Sequence, residues 1–432
     1  MQYTLGIRRE DKNKWEKRVP IIPDHIKELK EKHNIDTIVQ PSKIRTFKDK
    51  EYRKAGAKIQ EDLSEANVVF AVKEIPIDLF EENKTYVFFS HTIKGQEYNM
   101  PMLKKMMELN CNLIDYEKIT DEKKRRLVFF GRYAGIAGMI DTLWGLGKRL
   151  KSKGKKTAFS EIKRTTEYAN LEDAKNYIRY VGTKIKEEGF PKNILPVVVG
   201  FTGYGHVSSG AQEILDILPV EEISPAQLEK MDAHYSNNLI YKVVFQEKDL
   251  VEPKSEDKDF NLMEYYDKPD LYKSIFNRYV KRLTVLMNCI YWDERYPRLI
   301  TKDFVEKNFS DLSKLQIVGD ISVDINGAVE FTEKVTESNM PVYVYNPMNN
   351  KITDGCSGEG IAVMAVDNLP CELPKESSIA FSNALFSYIP KIVKTDYNKS
   401  YQELDLPPEI KRALILHHGK LTTDYQYINK FL

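Results

Sequence analysis

Short apolar runs alternate with amphipathic stretches along the first third of the chain. Residues 23–32 place Ile26 and Leu29 on one face at helical spacing, which predicts a helix. The apolar runs on either side of such stretches predict buried strands, at residues 5–8, 37–40, 66–73, 85–90 and 112–115. Strands that alternate with helices are typical of a parallel, doubly wound sheet.

The same alternation returns in the middle of the chain, after two helical stretches. Residues 135–150 are rich in glycine and apolar on most sides, as expected of a helix packed between two domains, and residues 171–185 form an amphipathic helix. A second αβ region opens at Ile194, with apolar runs at residues 197–199, 315–321 and 342–345. The span 247–270 is polar and acidic, and we interpret it as a mobile loop.

Composition turns this pattern into a two-domain prediction. A chain of 432 residues is too long for one ordinary core, and 42% hydrophobic with 30% charged residues is a normal globular composition. Lys plus Arg (65) nearly balance Asp plus Glu (64), so no basic surplus points to nucleic acid as a partner.

The cysteines and histidines indicate neither a disulfide framework nor a metal site. The four cysteines are far apart and form no CxxC pair. Metal-ligand spacing is also missing from the histidines outside the candidate site: His25, His33, His206, His234, His417 and His418. Because no apolar run is long enough for a membrane span and no targeting segment is recognisable, we expect a cytoplasmic protein with no membrane partner.

The strongest local signal is a glycine turn after an apolar run. Residues 197–199 lead into Gly203-x-Gly205-x-x-Ser208, and an amphipathic stretch follows. In a dinucleotide-binding turn the first glycine permits the tight bend, the second lets the backbone approach a pyrophosphate, and the helix N-terminus faces the phosphates. Ser208 stands where a third glycine is usual, which weakens the motif. The alternative is a glycine-rich turn that binds nothing.

This turn predicts a set of cofactor-binding residues. Glu221 and Glu222 lie near the usual distance for the acid that binds a ribose 2′-hydroxyl, and no arginine stands beside them to receive a 2′-phosphate. The predicted cofactor is therefore NAD or NADP, with NAD favoured by this feature alone. The candidate residues are Gly200, Thr202, Gly203, Gly205, His206, Val207, Ser208, Glu221, Glu222 and, at a later strand end, Asp320.

Two ionisable residues follow neighbouring strands of the first region. Lys73 comes at the end of the run 68–72, and His91 follows the run 85–90. Ligands of open parallel sheets bind outside the carboxyl ends of the strands, so an ammonium and an imidazole would share one crevice and could transfer protons. The alternative is a solvated strand end for Lys73 and a hydrogen-bonded loop residue for His91.

Three further charged residues allow two interpretations each. Arg18 is either a carboxylate fork or a surface cation. Asp320 and Asp324 follow the apolar run 315–318 and either serve a site or cap a turn.

At this point the sequence resembles the family of alanine dehydrogenase, saccharopine dehydrogenase and the NAD-binding subunit of transhydrogenase. The blocks that carry the resemblance run in the family's order over nearly the whole chain: GIRREDKNKWEKRVPIIPDHIKEL, VKEIP, FFSHTIKGQE, LIDYEKI, GRYAGIAGMIDTLWGLG, FTGYGHVSSGAQEIL, YWDERYPRLIT, VGDISVDINGAVEFT and AVDNLPCELPKESS. The forms FSHTIK, YAGIAGMID and YWDERYPRLIT are closest to the reductase half of bifunctional aminoadipic semialdehyde synthases. We expect this chain to be that half alone.

The resemblance implies roles for individual residues. It makes Lys73 and His91 the catalytic pair and Arg18 the carboxylate-binding arginine. It places Lys94 near the substrate, and Asp324 and Asn368 near the nicotinamide and substrate. The sequence Glu74-Ile75-Pro76, where close reductases can differ, leaves the fine choice of substrate open.

The resemblance also implies a fold and an activity. The fold is α/β, with two Rossmann-like doubly wound domains and a cleft between them: a discontinuous substrate domain (1–134 and 371–432) and a dinucleotide-binding domain (135–370). The activity is the condensation of lysine with 2-oxoglutarate and reduction of the imine to saccharopine by NADH or NADPH, without a metal. Homo-oligomerisation stays open. The alternatives are a lysine-forming NAD-linked saccharopine dehydrogenase, another reductive amination such as that of alanine dehydrogenase, and a non-catalytic nucleotide-binding regulatory protein.

Overall fold

The computed structural model describes residues 3–231 and 235–432, so the predicted role of His234 lies outside the described residues. The chain forms two compact units. The first contains residues 1–130 and 374–432, and the second contains residues 131–373. These boundaries lie within four residues of the predicted ones, while the functional names given to the two domains stay predictions.

The first segment of the chain supplies most of the first unit. Its strands are Tyr3–Ile7 (β1), Ile35–Val39 (β2), Lys58–Ile59 (β3), Val68–Phe70 (β4), Thr85–Phe88 (β5) and Asn112–Asp115 (β6). Its helices are Pro23–His33 (α1), Asp49–Lys54 (α2) and Met100–Glu108 (α3).

The middle segment forms the second unit. Its helices are Gly131–Ser152 (α4), Leu171–Glu188 (α5), His206–Leu215 (α6), Pro225–Glu229 (α7), Glu247–Leu250 (α8), Leu262–Asp267 (α9), Asn277–Val280 (α10) and Lys302–Lys307 (α11). Its strands are Val197–Thr202 (β7), Val220–Glu222 (β8), Ile240–Phe245 (β9), Val251–Pro253 (β10), Tyr272–Ser274 (β11), Val285–Asn288 (β12), Ile317–Asp320 (β13), Val342–Asn346 (β14), Lys351–Asp354 (β15) and Ile361–Met364 (β16).

The last segment returns to the first unit. Its elements are the helices Pro374–Phe386 (α12), Ile389–Lys394 (α13) and Pro408–Ala413 (α14), and the strands Leu414–His417 (β17) and Lys420–Leu421 (β18).

The sheet of the first unit has eight strands in the order β18-β17-β6-β5-β4-β1-β2-β3. Strands β1 to β6 are parallel, as the alternation of strands and helices predicts. The chain's last part adds β17 antiparallel to β6, together with a hairpin to β18. The two residues of that hairpin turn, His418 and Gly419, both have positive φ, which is the geometry that fits the twist of paired antiparallel strands.

The sheet of the second unit also has eight strands, in the order β15-β14-β16-β13-β12-β7-β9-β8. All neighbours are parallel except at the edge where β14 pairs with β15 and β16. Side chains of β7 show that both faces are covered, because Val197, Val199 and Phe201 belong to one buried cluster and Val198 belongs to another. No helix in the described part of the chain is long and apolar enough to cross a membrane.

Helix α4 packs inside the second unit at very short range against α6. A Cβ atom at Gly135 would come within 1.9 Å of the Val207 carbonyl oxygen, and one at Gly210 within 2.0 Å of the Arg132 carbonyl oxygen. The two helices therefore meet backbone to backbone, which requires glycine at positions 135 and 210. In the usual motif a third glycine allows the helix after the turn to pack closely. Here Gly135 and Gly210 allow that close packing, and Ser208, at the position of the third glycine, is fully buried.

Two predictions about elements differ from the structure. The predicted strand at residues 66–73 is only Val68–Phe70. The Ala71 N–H still donates to the Val87 carbonyl of β5, but the N–H groups of Val72 and Lys73 pair with a side chain instead. The span 247–270, interpreted as a mobile loop, contains α8, β10 and α9. Its polar sequence carries buried anchors at Leu250, Val251 and Tyr265, which are enough to order short elements.

Candidate active site

The carboxyl ends of β4 and β5 bring the two predicted catalytic residues to one edge. The strands are parallel neighbours, and the Phe89 N–H donates to the Val72 carbonyl just beyond their last paired residues. Lys73 and His91 follow at once, so the prediction that their strands are neighbours is confirmed. The Lys73 ammonium makes no ion pair with any residue that the structure describes, and its side chain is half-buried.

His91 is held by a carboxylate that the sequence analysis assigned no role. Its Nδ1 lies 2.6 Å from Oε1 of Glu74, whose Oε2 accepts from the Lys12 ammonium at 2.8 Å. Burial alone would raise the pKa of Glu74, but its hydrogen bonds with His91 and Lys12 hold that pKa well below its usual range. An ionised Glu74 can only accept, so Nδ1 carries the proton and Nε2 is the nitrogen left for proton transfer.

A second carboxylate fixes the backbone in front of Lys73. Glu10 is buried, and its two oxygens accept the N–H groups of Val72 at 2.6 Å and Lys73 at 3.0 Å. Burial raises the pKa of Glu10 to about 7, and the nearby charge of Glu16 adds to the rise. Glu10 therefore ends the strand and sets where the Lys73 side chain begins.

Arg18 is a buried residue rather than a surface cation. It is 3% exposed, and its Nε and Nη2 donate to the two oxygens of Glu16 at 2.8 and 2.6 Å. The guanidinium also lies 4.2 Å from the ring centre of Phe130. One bidentate edge of the arginine is thus taken by Glu16. Lys94 lies exposed in the loop after His91.

In the second unit the predicted glycine turn is present, with a strand before it and a helix after it. Gly203 has φ of +84°, where a side chain is strained, and its N–H donates to the Phe245 carbonyl at 3.1 Å. Gly205 is the N-cap of α6 and has φ of −76°, which any residue can adopt. A Cβ atom at Gly205 would meet no atom within 4 Å. The space beside Gly205 at the start of α6 is therefore open, as the close approach of a pyrophosphate requires.

A buried polar network supports this turn from the neighbouring strand ends. The Thr202 hydroxyl donates to Oδ1 of Asn288 at 3.1 Å, and the Asn288 amide donates to Oδ1 of Asp320 at 2.9 Å. Asp320 also accepts from the Thr332 hydroxyl and the Val323 N–H. Burial raises the pKa of Asp320 against the lowering effect of these donors. The network spans β7, β12 and β13, where the strand order reverses and open αβ sheets bind their ligands.

The remaining predicted residues lie around the same carboxyl edge of this sheet. Asp324 follows β13 after Val323, whose φ of +54° is strained for a β-branched residue, and Asn368 lies in the loop after β16. Glu221 and Glu222 end β8 at the outer edge of the sheet, two strands away from β7. Among the described residues no group of three metal-ligating side chains lies together.

Two domain models cover most of the chain. "Alanine dehydrogenase/PNT, N-terminal domain" matches residues 6–137, and "Alanine dehydrogenase/PNT, C-terminal domain" matches residues 220–424. The chain belongs to the alanine dehydrogenase/PNT family. This membership confirms the family resemblance from which the roles of the individual residues were inferred.

Similar curated proteins include the alpha-aminoadipic semialdehyde synthases of Arabidopsis thaliana and Bos taurus. The plant protein is 37% identical over 98% of this chain and 41% of its own length, and the bovine protein is 36% identical over 99% and 47%. The chain thus spans less than half the length of these relatives. A saccharopine dehydrogenase [NAD(+), L-lysine-forming] of Yarrowia lipolytica is 23% identical, over 84% of this chain and 85% of that protein.

Two solved structures share the fold. An L-alanine dehydrogenase superposes with a TM-score of 0.63 at 17% identity, covering 99% of this chain and 98% of that one. The transhydrogenase of Sinorhizobium meliloti gives 0.56 at 14% identity, over 97% and 100%. The predicted α/β class with two Rossmann-like units and a discontinuous first unit is confirmed. The bovine relative is named mitochondrial, and the cytoplasmic location expected of this chain stays a prediction.

Sequence reasoning found the strand-end residues and missed their partners. Glu74 adjoins Lys73 and was noted only as a departure from close relatives, and Asn288 ends an apolar strand that was not singled out. Glu10 lies 62 and 63 positions from the two residues whose N–H groups it accepts. Glu16 lies 2 positions from Arg18. An acid close to a predicted site residue is the one signal that could have indicated Glu16 and Glu74.

Replacing Gly205 by valine should abolish dinucleotide binding while the fold survives. The backbone of Gly205 suits any residue and a Cβ meets no neighbour, so the added side chain would fill only the space in front of the turn. Thermal unfolding should stay near that of the unmodified protein, and titration with NADH and NADPH should show no binding. Unchanged affinity for both nucleotides would show that this turn holds no phosphate.

Protonation of Glu10 should make the stability of the protein depend on pH. Its folded-state pKa of about 7 exceeds the ordinary glutamate value of 4.5, so the folded state retains a proton that the unfolded state loses. The contribution is fully present below pH 4.5 and is lost as the pH rises toward 7, by on the order of 3 kcal/mol in total.

Urea unfolding at pH 5 and pH 8 measures this contribution. The Glu10→Gln protein cannot lose the proton, so its stability should fall less between the two values than that of the unmodified protein. Glu82→Gln, at an exposed carboxylate, is the matched control and should follow the unmodified protein. Parallel curves for all three proteins would contradict the raised pKa.

Proposed function

We propose that this chain is a saccharopine-forming lysine–2-oxoglutarate reductase that uses NADH or NADPH. The observation that carries the proposal is that Lys73 and the Glu74-bound His91 follow the ends of two neighbouring parallel strands. The similarity to alpha-aminoadipic semialdehyde synthases over at least 98% of the chain supports the proposal. The resemblance to their reductase half implies lysine and 2-oxoglutarate as the substrates.

The proposed reaction needs several proton transfers and one hydride. The ε-ammonium of lysine loses a proton, its amine attacks the keto carbon of 2-oxoglutarate, and a proton passes from the nitrogen to the oxygen to give a carbinolamine. The carbinolamine oxygen gains a proton and leaves as water, which gives a protonated imine. A bound reduced nicotinamide supplies the hydride that converts this imine to the secondary amine of saccharopine.

His91 is the residue suited to move these protons at Nε2. Its Nδ1–H is fixed on Glu74, so the ring has one orientation and one tautomer when neutral. Lys73, with no ion pair among the described residues, follows the end of the neighbouring strand and is the second candidate for proton transfer. Which of the two acts as acid and which as base stays open. Arg18 and Lys94 offer further positive charge to the three carboxylates of the product.

The cofactor proposal rests on the fit of the second unit to a dinucleotide. The Gly203–Gly205 turn would hold the pyrophosphate at the start of α6, and the Thr202–Asn288–Asp320 network would keep the turn in place. Asp324 and Asn368 are proposed to lie near the nicotinamide.

A lysine-forming, NAD-linked saccharopine dehydrogenase is the second candidate. It is supported by the similarity to the Yarrowia lipolytica relative of that name, which is 23% identical over 84% of this chain. The two candidates catalyse one reaction in opposite directions and differ in the cofactor and direction that they favour.

A substrate screen that follows nicotinamide absorbance tests the proposal. Lysine with 2-oxoglutarate should drive oxidation of NADH or NADPH, and pyruvate with ammonia should not. Saccharopine with the oxidised nucleotides measures the reverse direction. Turnover with pyruvate and ammonia alone would instead make the chain an alanine dehydrogenase, and no turnover with any pair would favour a regulatory nucleotide-binding protein.

Lys73→Met and His91→Gln should each lower turnover by about 10²–10⁴-fold, because each removes a proton-transfer group. The affinity for NADH or NADPH should stay near normal, since both residues belong to the first unit. If the two act on one proton path, the double variant should lose far less than the product of the single losses. Lys50→Met, at an exposed lysine of the same unit, is the control. Near-normal turnover in either single variant would make that residue a solvated strand end.

A further inference from the structure

The order of strands around the glycine turn places β9, and not β8, next to β7. All six residues of β7 pair with β9, and the last pair joins Thr202 to Phe245. The Gly203 N–H then donates to the Phe245 carbonyl, so the chain that leaves β9 runs directly beside the turn. In a dinucleotide-binding unit the acid that binds the adenosine ribose follows the strand beside the glycine turn. Here that position belongs to residues after Phe245.

The acids of β8 lie one strand too far out. Neighbouring strands are about 4.8 Å apart, so β8 is separated from β7 by about 10 Å. The carboxylate of Glu222 is also engaged, because its Oε2 lies 2.8 Å from the ammonium of Lys242 on β9. Glu222 therefore faces a cation of its own sheet and not the turn.

Glu247 stands two residues beyond β9 and is tied to the turn itself. The hydroxyl of Tyr204, which lies between the two glycines, donates to its Oε2 at 3.2 Å. The hydroxyl of Tyr266 donates to its Oε1 at 2.6 Å. Burial raises the pKa of both phenols, and the charge of Glu247 adds to the rise, so both remain donors at neutral pH.

The charge of this carboxylate is not cancelled. Within the described residues Glu247 forms no ion pair, and its side chain is only half-buried. Lys248, the next residue, is exposed.

We propose that Glu247 binds the adenosine ribose hydroxyls and makes the second unit selective for NAD(H) over NADP(H). A carboxylate accepts from the 2′- and 3′-hydroxyls of NAD(H) and repels the 2′-phosphate of NADP(H). The proposal replaces Glu221 and Glu222 as candidates for this role. It rests on the proposed function only in that the second unit binds a nicotinamide dinucleotide.

Fluorescence titration with NADH and NADPH tests the proposal without any turnover. The unmodified protein should bind NADH more tightly than NADPH. Glu247→Gln should weaken NADH binding by about tenfold or more, because it removes hydrogen bonds to a charged acceptor, and should leave NADPH binding equal or stronger. Glu247→Arg should reverse the preference, since arginine receives a 2′-phosphate. Lys248→Gln, the matched neighbour, should keep the preference for NADH, and thermal unfolding verifies that each variant is folded.

Three results would overturn the inference: a preference of the unmodified protein for NADPH, normal NADH binding by folded Glu247→Gln, or an equal loss of NADH binding in Glu222→Gln. The Gly205→Val protein separates this failure from failure of the proposed function. Loss of binding in Gly205→Val with normal binding in Glu247→Gln leaves the dinucleotide site in place and removes Glu247 from it. No binding of either nucleotide by the unmodified protein removes both.

Discussion

Parallel strands that stop inside a protein leave backbone N–H groups without strand partners, and buried carboxylates accept those groups at three points in this chain. Glu10 takes the Lys73 N–H, and Asp115 takes the Ser90 N–H. In the second unit Asp320 takes the Val323 N–H. Each capped N–H group belongs to a candidate residue or to the residue just before one. The caps therefore fix the backbone positions from which the side chains of Lys73, His91 and Asp324 project. Satisfying the backbone and positioning the site are one structural requirement here.

Such caps cost electrostatic free energy, because a buried carboxylate loses its hydration. Burial raises the pKa of Asp115 to about 6, with Glu117 adding to it, and that of Glu10 to about 7. Glu74 shows the opposite balance, since its hydrogen bonds with His91 and Lys12 keep its pKa low despite its burial. Glu10 and Asp115 are therefore close to protonation at neutral pH, while the carboxylate that orients His91 stays charged. The carboxylates that accept backbone N–H groups are therefore different residues from Glu74, the carboxylate that orients the His91 imidazole.

The sequence predicted what depends on local pattern. The parallel strands of the first unit, the glycine turn with its flanking elements, and the adjacency of Lys73 and His91 follow from apolar runs and from the rule on strand ends. Side-chain partners could not be predicted, because they are far apart in the sequence. Glu10 binds groups 62 and 63 positions away, and Asn288 binds Asp320 on the neighbouring strand, 32 positions away. Strand order depends on pairings of the same long range. That is why spacing along the chain pointed to Glu221 and Glu222, while the sheet inserts β9 between them and the turn.

Backbone strain is found where these caps end. His91 has φ of 49° and Val323 has φ of 54°, conformations that cost about 1–3 kcal/mol for residues with a Cβ and persist only when their surroundings fix them. Before His91, Asp115 binds both the N–H and the hydroxyl of Ser90, and the Asn99 amide donates to the His91 carbonyl. Before Asp324, Asp320 binds the strained residue directly. The left-handed residue turns the chain sharply at each strand end, so the side chain leaves the sheet edge instead of continuing the strand. The cap fixes the backbone just before each turn, which links the buried carboxylates to the direction in which the His91 imidazole and the Asp324 loop leave their sheets.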